Sequence, residues 1–343
     1  MDDGVPHDLI VNILEKLAVK SLMRFKCVSK QWFGLITDPC FIDRRLSNQK
    51  KKDVHFFTVF YSVIAPGTYL AIKSMWTSCD GIFCFSGDHG VCVYNHAAWE
   101  YRLLPKDLRD HCLGFGRDSI TKRYRIVILF NDDPAGLVFT LDPNPNACWK
   151  TIGAVPYKIK VGSDSVYVNG AIYWFTDHQV KIIMFDLHTE KFEPIPHPNH
   201  CWDKEEICMQ LENLRERLCL AQLEPDNKLN IWIMQQQHKK KITWEKLYCI
   251  QHVALDDDLR FPRFALAERE DGTLLVCINC DVYLCKQNDM IRCGPPRHFS
   301  VPFHLGVAFG TTSFTESIVP VYGTSLNRFR LVTQFIRVAL LRE

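Results

Sequence analysis

Net charge is almost absent from this chain. Its 343 residues carry 41 Lys and Arg against 39 Asp and Glu, a formal +2 with a pI near 7.9. That balance leaves no electrostatic footprint for nucleic acid. The basic run near the N-terminal helices is short, Lys50-Lys51-Lys52, and reads as a solvated linker. Uncharged runs are scarce too. Val54 to Ile72 holds no Asp, Glu, Lys or Arg and is long enough to cross a bilayer. Pro66-Gly67 interrupts it, and its flanks, His55 to Tyr61 and Thr68 to Ile72, are aromatic and β-branched. That content predicts two strands around a turn and no membrane span. A basic leader is missing as well, since Asp2 and Asp3 stand where one would begin. The expectation is a cytoplasmic or nuclear protein whose fifteen cysteines stay reduced and pack as small hydrophobes. At 47% hydrophobic and 23% charged, the remaining composition is globular.

Catalytic signatures are lacking in the same way. No Walker-type loop, Gly-x-Ser-x-Gly elbow or His-Glu-x-x-His pair occurs. Gly114-Phe115-Gly116 has no third glycine and no helix pattern after it, so it reads as a turn and not a dinucleotide loop. Cys277 and Cys280, with Cys285 and Cys293, have the wrong second spacing for a zinc knuckle. Cys277 and Cys285 lie inside apolar runs, where buried thiols are expected. His197, His200, Cys201 and Cys208 form a loose group among prolines, and Asp256-Asp257-Asp258 lacks the alternation of a calcium loop. No cofactor, no metal and no acid–base constellation is expected, which points to a non-catalytic chain.

What is present begins with helices. Leu9, Ile10, Ile13, Leu14 and Leu17 recur at helical spacing, with Pro6 suited to the first turn. Ser21 can cap a second short helix carrying Leu22 and Phe25, and Ser29 a third carrying Trp32, Phe33 and Ile36. Three helices of this size cannot hide so many apolar side chains. Val5, Pro6, Leu9, Val28, Trp32 and Leu35 are candidates for an exposed face. They either cover the rest of the chain or bind a partner, and composition leaves both readings open.

The residues from Val5-Pro6-His7-Asp8-Leu9-Ile10 through Ser21-Leu22-Met23-Arg24-Phe25-Lys26-Cys27-Val28-Ser29-Lys30-Gln31-Trp32 to Asp38-Pro39-Cys40-Phe41 resemble the F-box of plant F-box proteins. The similarity is dense and without gaps. Val5 stands where that family usually has Leu, Asn12 where it has Glu, and Ala18 where it has Pro. The resemblance implies docking onto a Skp-type adaptor and, through it, a cullin ligase. It also resolves Val5, Pro6, Leu9, Val28, Trp32 and Leu35 toward the adaptor interface, leaving Ile13, Leu17 and Phe25 to the helical core.

Beyond Phe41 strands dominate, among them Tyr124 to Phe130, Ala171 to Phe175, Leu229 to Met234 and Thr273 to Ile278. Trp202 to Leu220 reads either as a short helix or as an irregular strand. A strand, a polar turn and an aromatic recur at Trp99, Trp149, Phe192 and Trp244, with a weaker copy at Ile291, at spacings of 50, 43, 52 and 47 residues. That period favours a β-propeller of about six blades over a β-sandwich. The fold class is therefore α+β and multidomain: a three-helix module over 1–46 and a large all-β propeller over 47–343.

The second region is similar to the F-box-associated, kelch-like domain of the same plant family. Gly114-Phe115-Gly116-Arg117-Asp118-Ser119, Tyr124-Arg125-Ile126-Val127, Gly170-Ala171-Ile172-Tyr173-Trp174 and Glu316-Ser317-Ile318-Val319-Pro320 carry that likeness. The resemblance implies the substrate receptor of a Skp–cullin–F-box ubiquitin ligase, holding an unknown protein cargo. The alternative is a ligand- or glycan-binding propeller with a vestigial F-box. Loops around 131–134, 199–206 and 256–260 are candidates for the cargo face, because loops on a rigid scaffold carry recognition.

Overall fold

Four helices, not three, form from the first fifty residues. The computed structural model describes residues 6–49, 55–63, 72–87, 90–105, 111–130, 133–144, 146–159, 164–176, 182–198, 208–236, 242–251, 264–269, 271–278, 281–286, 289–292, 310–314, 316–322, 324–325 and 330–336. Helix α1 is His7–Lys16, α2 Val19–Phe25, α3 Lys30–Thr37 and α4 Pro39–Gln49. The carbonyl of Pro6 accepts from the N–H groups of Leu9 and Ile10 at 3.0 and 3.2 Å, which opens α1. Ser29 caps α3 as expected, its Oγ accepting from the Trp32 N–H at 3.1 Å. Helix α2 starts at Val19, ahead of Ser21, with Ala18 as an N-cap that offers no side-chain acceptor. The unforeseen α4 also has a local cause. Asp38 Oδ1 accepts from the Phe41 N–H at 3.0 Å, and Pro39 fills the first helical position. Its weak apolar stripe, Phe41, Ile42 and Leu46, hid it in a periodicity reading.

The Ala18 departure has a measurable consequence. Its backbone sits at φ −62°, ψ 148°, and Leu17 before it at φ −77°, ψ 151°. Those are the angles proline and its predecessor adopt. Ala18→Pro is expected to raise unfolding stability by about 0.4–1 kcal/mol through lost unfolded-state freedom. A shift of the urea midpoint at constant slope checks it.

Five sheets of four consecutive strands follow. They are β2–β5 (Ile72–Cys79, Ile82–Gly87, Gly90–Asn95, Glu100–Pro105), β6–β9 (His111–Arg117, Tyr124–Phe130, Ala135–Thr140, Lys150–Ala154), β10–β13 (Val166–Val168, Ala171–Phe175, Ile182–Asp186, Lys191–Ile195), β14–β17 (Cys208–Asn213, Leu218–Leu223, Leu229–Gln236, Ile242–Ile250) and β18–β21 (Phe264–Glu268, Leu274–Ile278, Asp281–Lys286, Asp289–Arg292). A sixth sheet has the order β22-β1-β24, joining β1 (His55–Val63) to β22 (Gly310–Phe314) and β24 (Arg330–Ile336). Of the two strands expected over residues 54–72, the first is β1, but β1 and β2 do not form a hairpin. They belong to the last and first sheets, and residues 64–71 lie outside the described residues. The first strands neighbour one another in a closed cycle, β2 on β6, then β10, β14, β18, β22 and back to β2. Among the described residues this is a propeller of six sheets. The sixth is closed by strands from both halves of the chain.

Two local readings change. Residues 208–223 form the β14–β15 hairpin, with Leu211 opposite Leu220, and carry no helix. Arg215 and Glu216 take positive φ in its turn, which the Asn213 side chain stabilises by accepting from the Glu216 N–H at 2.9 Å. Gly114 and Gly116 are not a turn. They lie inside buried strand β6, where a Cβ at Gly114 would collide with the Trp174 ring and one at Gly116 with the Tyr167 ring. These glycines let the first strand of the second blade press against the third.

One hydrophobic core runs through both regions. Val11, Leu14, Leu22, Ile36 and Phe41 of the helices share it with Ile82, Phe115 and Ile126 of the blades and with Ile318, Val319 and Val321 near the chain's end. The last three belong to a strap, residues 316–322, that leads from β22 across the first blade. There β23 (Thr324–Ser325) adds a fifth strand to β5. Asn95 holds the strap by donating to the carbonyls of Ser317 and Val319 at 3.1 and 2.8 Å.

Candidate functional site

Helix α1 has an apolar arc about 200° wide at 3.6 residues per turn. Only one edge of it enters the core: Val11 and Leu14 are buried, and Ile10 and Leu17 pack against them. The other edge, Leu9 and Ile13, is turned to solvent, each 50% exposed. Ile13 is therefore not the core residue that the family resemblance implied, because the core uses a narrower arc than the sequence offers. The α2–α3 corner repeats the pattern, with Val28 62% and Phe33 52% exposed.

The six expected interface residues divide. Val5 lies outside the described residues. Pro6, Leu9 and Val28 are exposed. Trp32 and Leu35 are half-buried against the core, and Trp32 meets Phe25 edge-on at 5.1 Å between ring centroids. Pro6 caps α1 and Leu9 sits on it; Val28, Trp32 and Leu35 sit on the α2–α3 segment. Ile13 and Phe33 extend these two groups. Phe33 follows Trp32 in a segment already singled out, and its helical phase alone distinguishes it.

The helices are fixed to one rim of the propeller. Arg117, at the end of β6, pairs with Asp43 of α4. Arg45 of α4, only 2% exposed, donates to the Glu15 carbonyl at the end of α1 at 2.7 Å. Burial lowers the affinity of its guanidinium for its proton, while Glu316 and Glu15 push back. Burial likewise lowers Lys26 at the end of α2, with Glu100 of the first blade opposing it. On the same rim, Trp99 occupies the β4–β5 turn, 57% exposed, beside the His96 ring at 5.5 Å. Tyr94 Oη and His96 Nδ1 lie 2.9 Å apart, and burial pulls the imidazole down to about 4, so it is neutral at physiological pH.

Connections alternate between two rims in antiparallel blades. The strand ends that flank 131–134, 199–206 and 256–260 all lie at the rim opposite the helices. Of those three segments, only Asp133 and Pro134 fall among the described residues.

At the helix-side rim, Asp118 ties the second blade to the third. Its carboxylate accepts from the Ile120 and Thr121 N–H groups at 2.8 and 3.1 Å and pairs with Arg125 and His188, each at 3.3 Å. Burial alone would raise its pKa, but the Thr121 and Ile120 N–H groups, the Thr121 hydroxyl and His188 outweigh it and hold the carboxyl at about 2. A depressed carboxylate stabilises the fold above its unfolded value, and that stability is lost as pH falls from about 4 toward 2. Asp118→Asn is expected to cost about 2–3 kcal/mol at pH 7 and to flatten the acid limb below pH 4. Urea titrations from pH 7 to 3 check both.

Cys277 and Cys285 are buried on β19 and β20, opposite Val282 and Leu274, while Cys280 and Cys293 lie outside the described residues. His197 is half-buried and Cys208 lies on β14; His200, Cys201 and residues 256–258 lie outside the described residues. Among the described residues no group of three or more His, Cys, Asp or Glu could hold a metal, and no helix is long and apolar enough to cross a membrane.

Comparison with known proteins agrees with this arrangement. A family described as the F-box associated beta propeller domain matches residues 54–293, and the F-box domain family matches residues 3–44. The chain is 31% identical over 276 residues to an F-box/kelch-repeat protein of Arabidopsis thaliana, covering 72% of this chain and 67% of that one. It is 30% identical over 307 residues to an F-box/LRR-repeat/kelch-repeat protein of the same plant, covering 73% and 78%. Over 269 residues it is 31% identical to an Arabidopsis thaliana F-box protein, covering 70% and 65%.

Proposed function

The chain belongs to the plant F-box proteins that carry an F-box associated beta propeller domain, and from that premise we propose that it is the substrate receptor of a Skp–cullin–F-box ubiquitin ligase. One observation carries the reading. The helices give one apolar edge to the shared core and leave Leu9, Ile13, Val28 and Phe33 in water. A set of large apolar side chains kept exposed on rigid helices marks a partner site. The partner in this proposal is a Skp-type adaptor, which links the chain to cullin.

The role is positional and needs no catalytic group on this chain. The ligase delivers charged ubiquitin-conjugating enzyme, and the receptor holds a cargo lysine near it. Tethering raises effective concentration and so rate. The shared core supports this, because a propeller seated rigidly on the docking helices fixes where its cargo points. The cargo face in this reading is the rim opposite the helices, where the flanks of 131–134, 199–206 and 256–260 gather. The setting we propose is the cytoplasm or nucleus.

Affinity capture of the full chain from plant cells, with neddylation and the proteasome inhibited, is expected to retain a Skp-type adaptor and cullin. Absence of the adaptor from the captured material overturns the reading.

A further inference from the structure

Two large aromatic side chains on the helix-side rim adopt a backbone conformation that such residues rarely take. Trp99 has φ 54° and Tyr322 has φ 54°, both in the left-handed region. A bulky residue there is an outlier that persists only where its surroundings hold it. The equivalent place in the third blade, the residue before β13, is Glu190 at φ 55°, an unbranched polar side chain in the same position of the turn. Burial does not explain the aromatics either, since Trp99 is 57% and Tyr322 46% exposed. The second blade shows the alternative, with Trp149 folded inward onto Phe139 at 5.3 Å.

The two residues belong to one patch. Glu100, which follows Trp99, accepts from the Val321 N–H at 3.4 Å, and Val321 precedes Tyr322. Glu100 also acts on Lys26 at the end of α2, two residues before the exposed Val28. The strap that carries Tyr322 also shares its core with the helices, through Val319 and Val321 packed in one cluster with Leu14, Leu22 and Phe41, so the aromatic pair lies on the helix side of the first blade. His96, held by Tyr94, backs the Trp99 ring. An aromatic fixed before binding loses little freedom on contact, which suits it to an anchoring role.

We propose that Trp99 and Tyr322 are a second anchor for the adaptor that seats on the helices, so that the adaptor's footprint crosses from the F-box onto the first blade and its strap. This rests on the receptor reading above. It commits to the adaptor because the pair lies on the same rim as the docking helices, on the first blade and on the strap that shares their core. Cargo is assigned to the other rim.

The test uses the full chain and a purified Skp-type adaptor, with affinity and thermal midpoint measured together. Trp99→Gly and Tyr322→Gly remove the aromatic and suit the left-handed backbone. Each is expected to weaken adaptor binding about tenfold, and the pair about a hundredfold, with the midpoint unchanged or raised. Wild-type affinity in the double glycine variant overturns the proposal. So does weaker binding accompanied by a lower midpoint, since the aromatics would then act through the fold. If the adaptor binds wild type but not a Leu9→Glu, Ile13→Glu chain, the receptor reading stands whichever way the glycine variants fall. If the adaptor never binds wild type, both readings fail.

Discussion

Replacing Leu9 and Ile13 together with glutamate is expected to abolish adaptor retention and leave the fold intact. Both side chains are half in water and give nothing to the shared core. Burying the half of each side chain that is still exposed contributes about 0.8–1.5 kcal/mol, half the value for a fully exposed leucine or isoleucine. A carboxylate forced into the same contact adds a desolvation cost instead. The lost apolar burial of two residues is worth about tenfold to a hundredfold in affinity, since about 1.4 kcal/mol is tenfold, and the desolvation of two carboxylates carries the loss beyond that. The thermal midpoint should move by no more than about 2 °C, because surface changes away from special features stay within roughly 0.5 kcal/mol. Trp32→Asp should behave differently. Trp32 packs on Phe25 and on the core, so this variant loses stability as well as binding. Binding by immobilised adaptor and scanning fluorimetry on the same samples separate the two cases. Undiminished binding by the Leu9→Glu, Ile13→Glu chain would remove α1 from the interface.

Local signals made most of this architecture readable. Ser29 announced its cap, and the strands of Tyr124 to Phe130 and Ala171 to Phe175 stood out as dense apolar runs. The aromatic period marked the blades because each copy falls at or just before the fourth strand of its blade. What stayed hidden depended on partners distant in sequence. Ile13 and Leu9 look alike to a periodicity argument, and only the placement of the propeller decides which edge of α1 is covered. Helix α4 has few apolar residues because Asp43 pairs with Arg117 and Arg45 donates to the Glu15 carbonyl. The pairing of β1 with β22 spans some 250 residues, and no turn motif could announce it. Trp99 was visible as a repeat member, yet its outward direction follows from a backbone angle, which sequence spacing does not encode.

The same distance dependence makes the two glycines of β6 sensitive positions in the propeller. Gly116→Ala is expected to destabilise the chain by about 3 kcal/mol or more, at or above the upper end of overpacking costs. Its new methyl meets the Tyr167 ring, which cannot swing away freely because its hydroxyl donates to the Arg117 carbonyl at 2.9 Å. Gly114→Ala meets Trp174, a fully buried ring whose indole N–H points at the Leu113 carbonyl at 3.4 Å. Trp174→Ala alone opens a cavity and should cost about 3–5 kcal/mol. The combination is the decisive measurement. If the glycine exists to admit the ring, Gly114→Ala with Trp174→Ala should cost clearly less than the two single changes added, since the methyl enters space the ring has left. Strict additivity in urea denaturation would place the cost of Gly114→Ala elsewhere. Because Leu14, Leu22 and Phe41 share this core, the destabilised single variants should also lose adaptor binding, although no helix residue has changed. Restored binding in the double variant, tracking its restored stability, would show that the docking helices are held in place by the packing of blades two and three.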